Sequence, residues 1–314
     1  MIKNYTLILL IFCVIEVSFA QDSTKIDLKF SGLFQFIIED SKNASNFRVG
    51  NTEIGTRVQY NNSLGLRVIY SYFSDKSINL LDGFFYYKPS SYFEVRAGQL
   101  KIPFSIEALL PPHKKDFIID SKTSKIIQTR DIGGVLYYDT KFMESGIAVI
   151  NGSNINKNDN NNFKDFVGKI SFKPFENILL GSSIYLGKSK VDSIDIDKKD
   201  YNFHLKYKIP FELFFQSELV IQKSKTQDSK AGYITIGYFF NEFLNATHPI
   251  ELLLRFENIS IEKQVVTKYL TAGINYYFDK FYYTRLQLNY TRSWNNSFKD
   301  DLFLFSINFY YDNF

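Results

Sequence analysis

Apolar and polar positions alternate with period two through nearly the whole chain beyond residue 25. From Ile26, one set reads Ile26, Leu28, Phe30, Gly32, Phe34, Phe36 and Ile38, and the other offers Asp27, Lys29, Ser31 and Gln35. Residues 201–209 set Tyr201, Phe203, Leu205 and Tyr207 against Asn202, His204, Lys206 and Lys208. Residues 281–293 repeat the scheme, with Tyr282, Thr284, Leu286, Leu288 and Tyr290 opposite Arg285, Gln287 and Asn289. Such strands suit a half-buried soluble sheet or a barrel standing between lipid and water. Number and length separate the two.

About sixteen segments of this kind are predicted, over 25–39, 51–61, 64–74, 77–88, 92–104, 131–139, 142–152, 163–173, 178–188, 200–209, 211–223, 231–240, 250–259, 264–279, 281–293 and 301–314. Most match or exceed the ~9–11 residues with which a tilted strand crosses a bilayer. No helical periodicity lies between them, and a soluble sheet of that size would curl or split. The pattern therefore predicts an all-β, antiparallel transmembrane β-barrel of about sixteen strands.

The connections add a direction. Alternate ones are short, such as Asn61-Asn62-Ser63, Lys88-Pro89-Ser90-Ser91, Thr140-Lys141 and Asp279-Lys280. Those between are mostly longer and polar: 41–50, 151–162, 187–200, 222–230 and 291–300. Short periplasmic turns alternating with longer outer loops are expected of a barrel with both termini inside. The connections after residue 74 and around Asn245 to Pro249 depart from that rhythm. The longest connection, 105–130, lacks strand alternation. Its apolar clusters (Leu109, Leu110, Phe117 to Ile119, Ile126, Ile127) need burial, and the lumen is the nearest place for them. It is read as a third loop folded inward as a constriction.

The first 20 residues assign the compartment. Lys3, the apolar run Leu7 to Val14, and Ser18 and Ala20 before Gln21 form a cleavable secretory signal. Residues 21–314 then make one barrel domain. The single cysteine, Cys13, lies within the signal, so the mature chain offers no disulfide, thiolate nucleophile or thiolate metal site. Phe and Tyr, 32 and 22 of them, favour strands and supply aromatic girdles. Removing Lys3 and Glu16 leaves the net charge at +4, with basic residues scattered, which does not suggest nucleic acid.

Parity places Lys29, Arg57, Arg67, Arg96, Lys169, Lys173, Lys206, Lys208, Arg255 and Arg285 in the lumen. It also places Glu53, Glu94, Asp165, Glu212, Glu218, Glu251 and Glu257 there. That mild positive excess predicts a weak preference for anions. The expected anion path runs by Arg96, Lys101, Lys114, Lys115, Lys122, Lys125, Arg130, Lys169 and Arg285. No metal, cofactor or catalytic site is predicted. The three histidines lack metal-ligand spacing, no Ser is recognisably set against a His, and the acidic stretch Asp192 to Asp200 lacks the glycine of a calcium loop.

Four stretches in order resemble the phosphate-selective porin O and P family. They are Ala97-Gly98-Gln99-Leu100-Lys101-Ile102-Pro103-Phe104, Arg130-Asp131-Ile132-Gly133-Gly134, Ile150-Asn151-Gly152, and 165–174 (DFVGKISFKP). The resemblance covers ~80 residues and implies a 16-stranded trimeric barrel with an inward third loop. Phosphate-specific members look like channels lined by an arginine ladder. Residues 105–130 depart from that pattern, with four lysines, one arginine and Glu107, Asp116 and Asp120. The alternating Phe303, Phe305, Ile307, Phe309 and Tyr311, with the terminal Phe314, resemble the signal read by the outer-membrane barrel assembly machinery. Phe314 stands one residue out of phase.

Two functions follow. One is passive diffusion of small anionic or neutral solutes, phosphate-type anions among them, through a homotrimer in outer-membrane lipid. The other is a closed barrel serving as adhesin or scaffold through its outer loops. The mature protein is expected to begin at Gln21; intact-mass measurement on outer-membrane material that still carries residues 1–20 would overturn this.

Overall fold

The computed structural model describes residues 26–312 apart from 43, 62, 73–77, 160, 192–193, 209–212, 225–227, 241–247, 263–265 and 279–283. The expected signal (1–20) and Phe314 therefore lie outside the described residues. The strands, in chain order, are β1 (Ile26–Ser41), β2 in two stretches (Ala44–Val49 and Thr52–Tyr60), β3 (Leu64–Tyr72), β4 (Ile78–Tyr87), β5 (Phe93–Lys101), β6 (Arg130–Asp139), β7 (Met143–Ile150) and β8 (Asp165–Phe172). They continue as β9 (Ile178–Val191), β10 (Ile194–Lys208), β11 (Leu213–Ser224), β12 (Asp228–Phe240), β13 (Ile250–Ser260), β14 (Thr267–Tyr277), β15 (Arg285–Trp294) and β16 (Lys299–Asp312).

The two stretches of β2 are one barrel strand. Ala44–Val49 pairs with Phe36 to Ser41 of β1, and Thr52–Tyr60 with Ile26 to Leu33. The break at Gly50-Asn51 is closed by Gln35, whose carbonyl accepts from Gly50 N at 2.8 Å and whose Oε1 accepts from Asn51 N at 3.0 Å. Each strand pairs antiparallel with the next, and β1 also pairs with β16, so sixteen strands close into a barrel. Closure leaves no strand edge, as a sheet in lipid requires.

Parity follows the sequence pattern. On β1, Leu33, Gln35 and Ile37 point inward and are buried, while Phe34 is 48% exposed on the outside. Exposed Phe85, Leu136, Ile147, Phe203, Ile234 and Ile274 continue the apolar belt around the outer face. Exposed aromatics crowd the short-turn rim, among them Tyr87, Tyr92, Phe142, Phe175, Phe309 and Tyr311. Inside, the apolar core forms where the long connection meets the wall: Ile102, Phe104 and Ile126 pack with Leu100, Val135, Ile150, Val167 and Tyr185.

The expected outer loops are a correction. Most of 41–50, 187–200, 222–230 and 291–300 is strand, because these hairpins continue past the belt as paired ladders. In the 187–200 hairpin Lys188 stands opposite Asp197 and Lys190 opposite Asp195. Polar composition there marks water on both faces, not loss of the strand. Of these stretches 151–162 stays irregular among the described residues, as expected, and β8 begins at Asp165 instead of residue 163. Near the lumen's narrow part, β4 carries a bulge against β3 at Ile69/Tyr70, and Gly98 of β5 has φ +134°. A Cβ at Gly98 would fall 2.2 Å from the Gly83 carbonyl oxygen, so only glycine fits.

Phe309 and Tyr311 face outward, 58% and 57% exposed, opposite Phe34 and Gly32 of β1. Phe309→Asp with Tyr311→Asp puts two charges on the lipid side of the closing seam. Near the rim each such charge costs up to ~1 kcal/mol. The double variant is expected to lose the heat-modifiable folded band on a gel; unchanged mobility and yield would contradict the assigned faces.

Candidate functional site

The connection between β5 and β6 begins where the ladder must stop. Pro103 has no N–H to donate, and Ser105 caps the single helical turn Ile106–Leu109, its Oγ accepting from Ala108 N at 3.1 Å. Pro111-Pro112 then lead into a tight turn over Pro112–Lys114, and a second such turn spans Lys122–Lys125 before β6 resumes at Arg130. Lys101 Nζ donates to the carbonyls of Leu109 (3.2 Å) and Leu110 (2.7 Å), tying the first turn back to its strand.

The rest of the segment is bound to the wall formed by β10–β16. Glu218 accepts from Ser105 Oγ and Ile106 N, both at 3.1 Å. Arg255 lies between Glu107 (3.3 Å) and Glu257 (3.0 Å) and donates to the Ile119 carbonyl at 3.0 Å. Glu257 accepts from Lys122 N at 2.6 Å. The Asp116 carbonyl accepts from Asn275 (2.9 Å) and Gln287 (3.0 Å), and Asn289 Oδ1 accepts from Ile118 N at 2.8 Å. Phe117 packs with Phe214 and Leu253, Ile118 packs with Ile37 and Leu304, and His113 stacks on Tyr310 at 3.5 Å. A buried segment must satisfy its backbone groups, and this wall supplies the partners.

Burial shifts four of the segment's own groups, raising Glu107 and Asp116 and lowering His113 and Lys122. Burial pushes the Glu107 carboxyl up to about 7, although Arg255 pulls it down. Burial first, then Lys114 and Arg285, holds His113 down to about 3, so its ring is neutral at ordinary pH.

Between the segment and the opposite wall lie two cavities. One, about 140 Å³, is lined by Arg67, Arg96, Lys101 and Arg130 against Glu53 and Asp82, with Pro111 and Tyr310. The other, about 310 Å³, opens toward the short turns and is lined by Lys88, Glu94, Arg96, Tyr137, Glu144 and Lys169. Arg96 and Leu109 border both, so the cavities adjoin. Arg130 pairs with Asp82 at 2.8 Å and Arg96 with Glu94 at 2.6 Å, and the Arg96 guanidinium lies over Tyr137 at 4.7 Å. Lys29 stands opposite Arg57, and Arg57 opposite Arg67, placing three cations side by side on β1–β3. Like charges so placed repel; Asp27, 3.2 Å from Lys29, offsets part of that charge.

The expected anion path is thereby sorted. Arg96, Lys101, Arg130 and Lys169 line the cavities. Lys115 is held by Asp120 at 2.6 Å, and Lys122 lies over Tyr269 at 4.5 Å on the far wall. Arg285 is buried and donates to the Lys115 carbonyl, behind the segment instead of on the open side. Lys114 and Lys125 are exposed but line neither cavity. Asp82 is missing from the sequence-based lumen set, although its inward parity on β4 was readable. Tyr310 also escaped notice, because only its stacking on His113 reveals it.

A second correction concerns the histidines. Ser171 Oγ and His204 Nε2 lie 2.8 Å apart, and His204 Nδ1 lies 2.9 Å from Asn202 Oδ1. Ser171 and Asn202 have no exposed surface, and Asn202 donates to Glu218 at 2.6 Å, so the cluster braces that carboxylate. Among the described residues no group of three His, Cys, Asp or Glu side chains is gathered to hold a metal.

No family model matches the chain, and no curated protein matches it either. Solved structures do. The anion-selective porin from Comamonas acidovorans aligns with a TM-score of 0.70 at 11% identity, over 92% of this chain and 100% of that one. A loop-deleted OmpT of Vibrio cholerae gives 0.66 at 10% identity over 92% and 100%. OmpF of Salmonella typhi, in complex with daunomycin, gives 0.65 at 13% identity over 92% and 98%. The fold is that of the outer-membrane porins. Membership of the phosphate-selective O and P family is not confirmed by these likenesses.

Arg255→Ala would leave Glu107 and Glu257 buried without their cation, at a cost of about 3–5 kcal/mol. The segment is then expected to become cleavable by protease between residues 105 and 129 while the barrel stays closed. Equal resistance in both proteins would contradict the anchoring role.

Proposed function

We propose that the chain is an outer-membrane porin through which small hydrophilic solutes diffuse passively, with anions preferred. The observation that carries this reading is the cavity between the 105–130 segment and the β1–β8 wall, with four cationic side chains against two carboxylates. In a narrow passage with low-dielectric walls, such an excess acts on every passing ion. One fold neighbour is itself an anion-selective porin, in keeping with this reading. The 105–130 segment is the constriction, and phosphate-type anions suit its guanidinium groups. Two inorganic anions, chloride and phosphate, would separate charge selection from phosphate selection.

The same reading places the short turns in the periplasm, the signal peptide at 1–20, and Phe309, Tyr311 and Phe314 as the signal for the assembly machinery. It also takes the working form to be a homotrimer, as in the trimer form recorded for OmpT of Vibrio cholerae.

Reversal potentials in a KCl gradient test it. Arg67→Glu with Arg96→Glu should shift selectivity toward cations by about twofold or more. Lys114→Glu with Lys115→Glu should shift it less, since neither residue lines the cavities. Lys188→Glu with Lys190→Glu, on the outer face, should not change it. Absence of any conductance would favour the scaffold reading, and equal shifts from all three pairs would remove the cavity from the ion path.

A further inference from the structure

The smaller cavity carries both signs of charge. Its charged side chains come from five consecutive strands: Glu53 on β2, Arg67 on β3, Asp82 on β4, Arg96 and Lys101 on β5, and Arg130 on β6. Cations outnumber carboxylates there by four to two. Part of this charge is already met. Asp82 holds Arg130 at 2.8 Å, and Arg96 is held at 2.6 Å by Glu94, which lies outside this cavity.

Glu53 and Lys101 keep theirs. The Glu53 carboxylate forms no ion pair with a described residue, although it borders a space rich in cations. Lys101 Nζ donates to the neutral carbonyls of Leu109 and Leu110, and it too forms no ion pair with a described residue. A carboxylate and an ammonium thus border one small space without neutralising each other. Such charges are costly in a confined, low-dielectric place unless an opposite charge meets them. Arg67 stands between them in strand order, and a guanidinium has five N–H donors with which to take a further carboxylate.

Much of the remaining lining is apolar, with Leu33, Ile69 and Phe84 on the wall and Leu109 and Pro111 on the segment. The proline pair Pro111-Pro112 has no N–H to offer, so every charged contact comes from the wall. With about 140 Å³ of space and a need of about 10–15 Å³ per water, the cavity admits a solute of roughly ten non-hydrogen atoms. Such a solute needs methylenes for the apolar patches and charges of both signs for the rest.

We propose that this cavity binds an acidic α-amino acid, its two carboxylates on the cationic lining around Lys101 and Arg67 and its ammonium on Glu53. Two carboxylates answer the excess of two cations, and the ammonium answers the one carboxylate that has no partner among the described residues. A plain dicarboxylate would bring like charge to Glu53, and a solute with a single carboxylate would leave the cationic excess unmet. The inference rests on the porin reading and names the class of solute that the constriction selects.

Saturation-transfer NMR on the full-length protein in detergent tests it with three solutes of one skeleton. They are glutamate, glutarate, which lacks the ammonium, and 4-aminobutanoate, which lacks the α-carboxylate. Glutamate is expected to bind saturably, and each of the other two about tenfold or more weakly. Glu53→Gln should abolish the preference for glutamate over glutarate while glutarate still binds, and Glu53→Asp should keep the preference. Three results would overturn the proposal: equal binding of glutamate and glutarate, no glutamate binding by the folded protein, or, in heat-modifiable folded Glu53→Gln, either a retained preference or loss of both ligands. Planar-bilayer conductance of the unaltered protein reports on the porin reading separately. Glutamate binding without conductance condemns that reading and leaves the site, and conductance without glutamate binding condemns the site alone.

Discussion

Strand β1 pairs with β16 from Ser31 opposite Asp312 to Ser41 opposite Leu302, and through that seam the sheet loses its two edges. In hydrocarbon, an unpaired row of N–H and C=O groups costs several kcal/mol per group, so the other features of the chain presuppose this closure. Closure also divides the side chains. Along the belt every second residue faces outward and is mostly apolar, while the alternate residues meet an enclosed space where Asn275, Gln287 and Asn289 can be buried because they bond one another and the third loop.

That enclosed space is divided unequally. The segment between β5 and β6 has too many backbone groups to stand alone in the lumen, and the β10–β16 wall presents the carboxylates, amides and guanidinium that satisfy them. Glu218, Arg255, Glu257, Asn275 and Gln287 therefore act as a seat for the segment more than as lining for a passage. The opposite wall holds the segment through Lys101, which donates to the Leu109 and Leu110 carbonyls. Its Arg67, Arg96, Lys101 and Arg130 meet Glu53 and Asp82 around the smaller cavity and give that side its sign.

Strand number and strand parity were legible along the chain. Alternation is local, and its two faces are written into neighbouring residues such as Phe203 and His204. The outer connections were misread because composition separates apolar from polar, not paired from unpaired: the 187–200 hairpin is a ladder of opposed Lys and Asp that looks like a loop when read singly.

By itself the sequence determined a closed barrel with a lipid face, a polar face and a mildly basic interior, because period-two patterning and charge are properties of adjacent residues. Which cations share one cavity was decided only by the tertiary structure. Lys115 and Arg285 stood with Arg96 and Arg130 on equal terms in the sequence. The chain then folds its third loop against the far wall, spends Arg285 on a loop carbonyl and Lys115 on Asp120, and leaves Arg67, Arg96, Lys101 and Arg130 around the open space. Arg285 meets a carbonyl 170 positions away, whereas Lys115 and Asp120 are five apart; no local pattern encodes which wall a buried loop will choose.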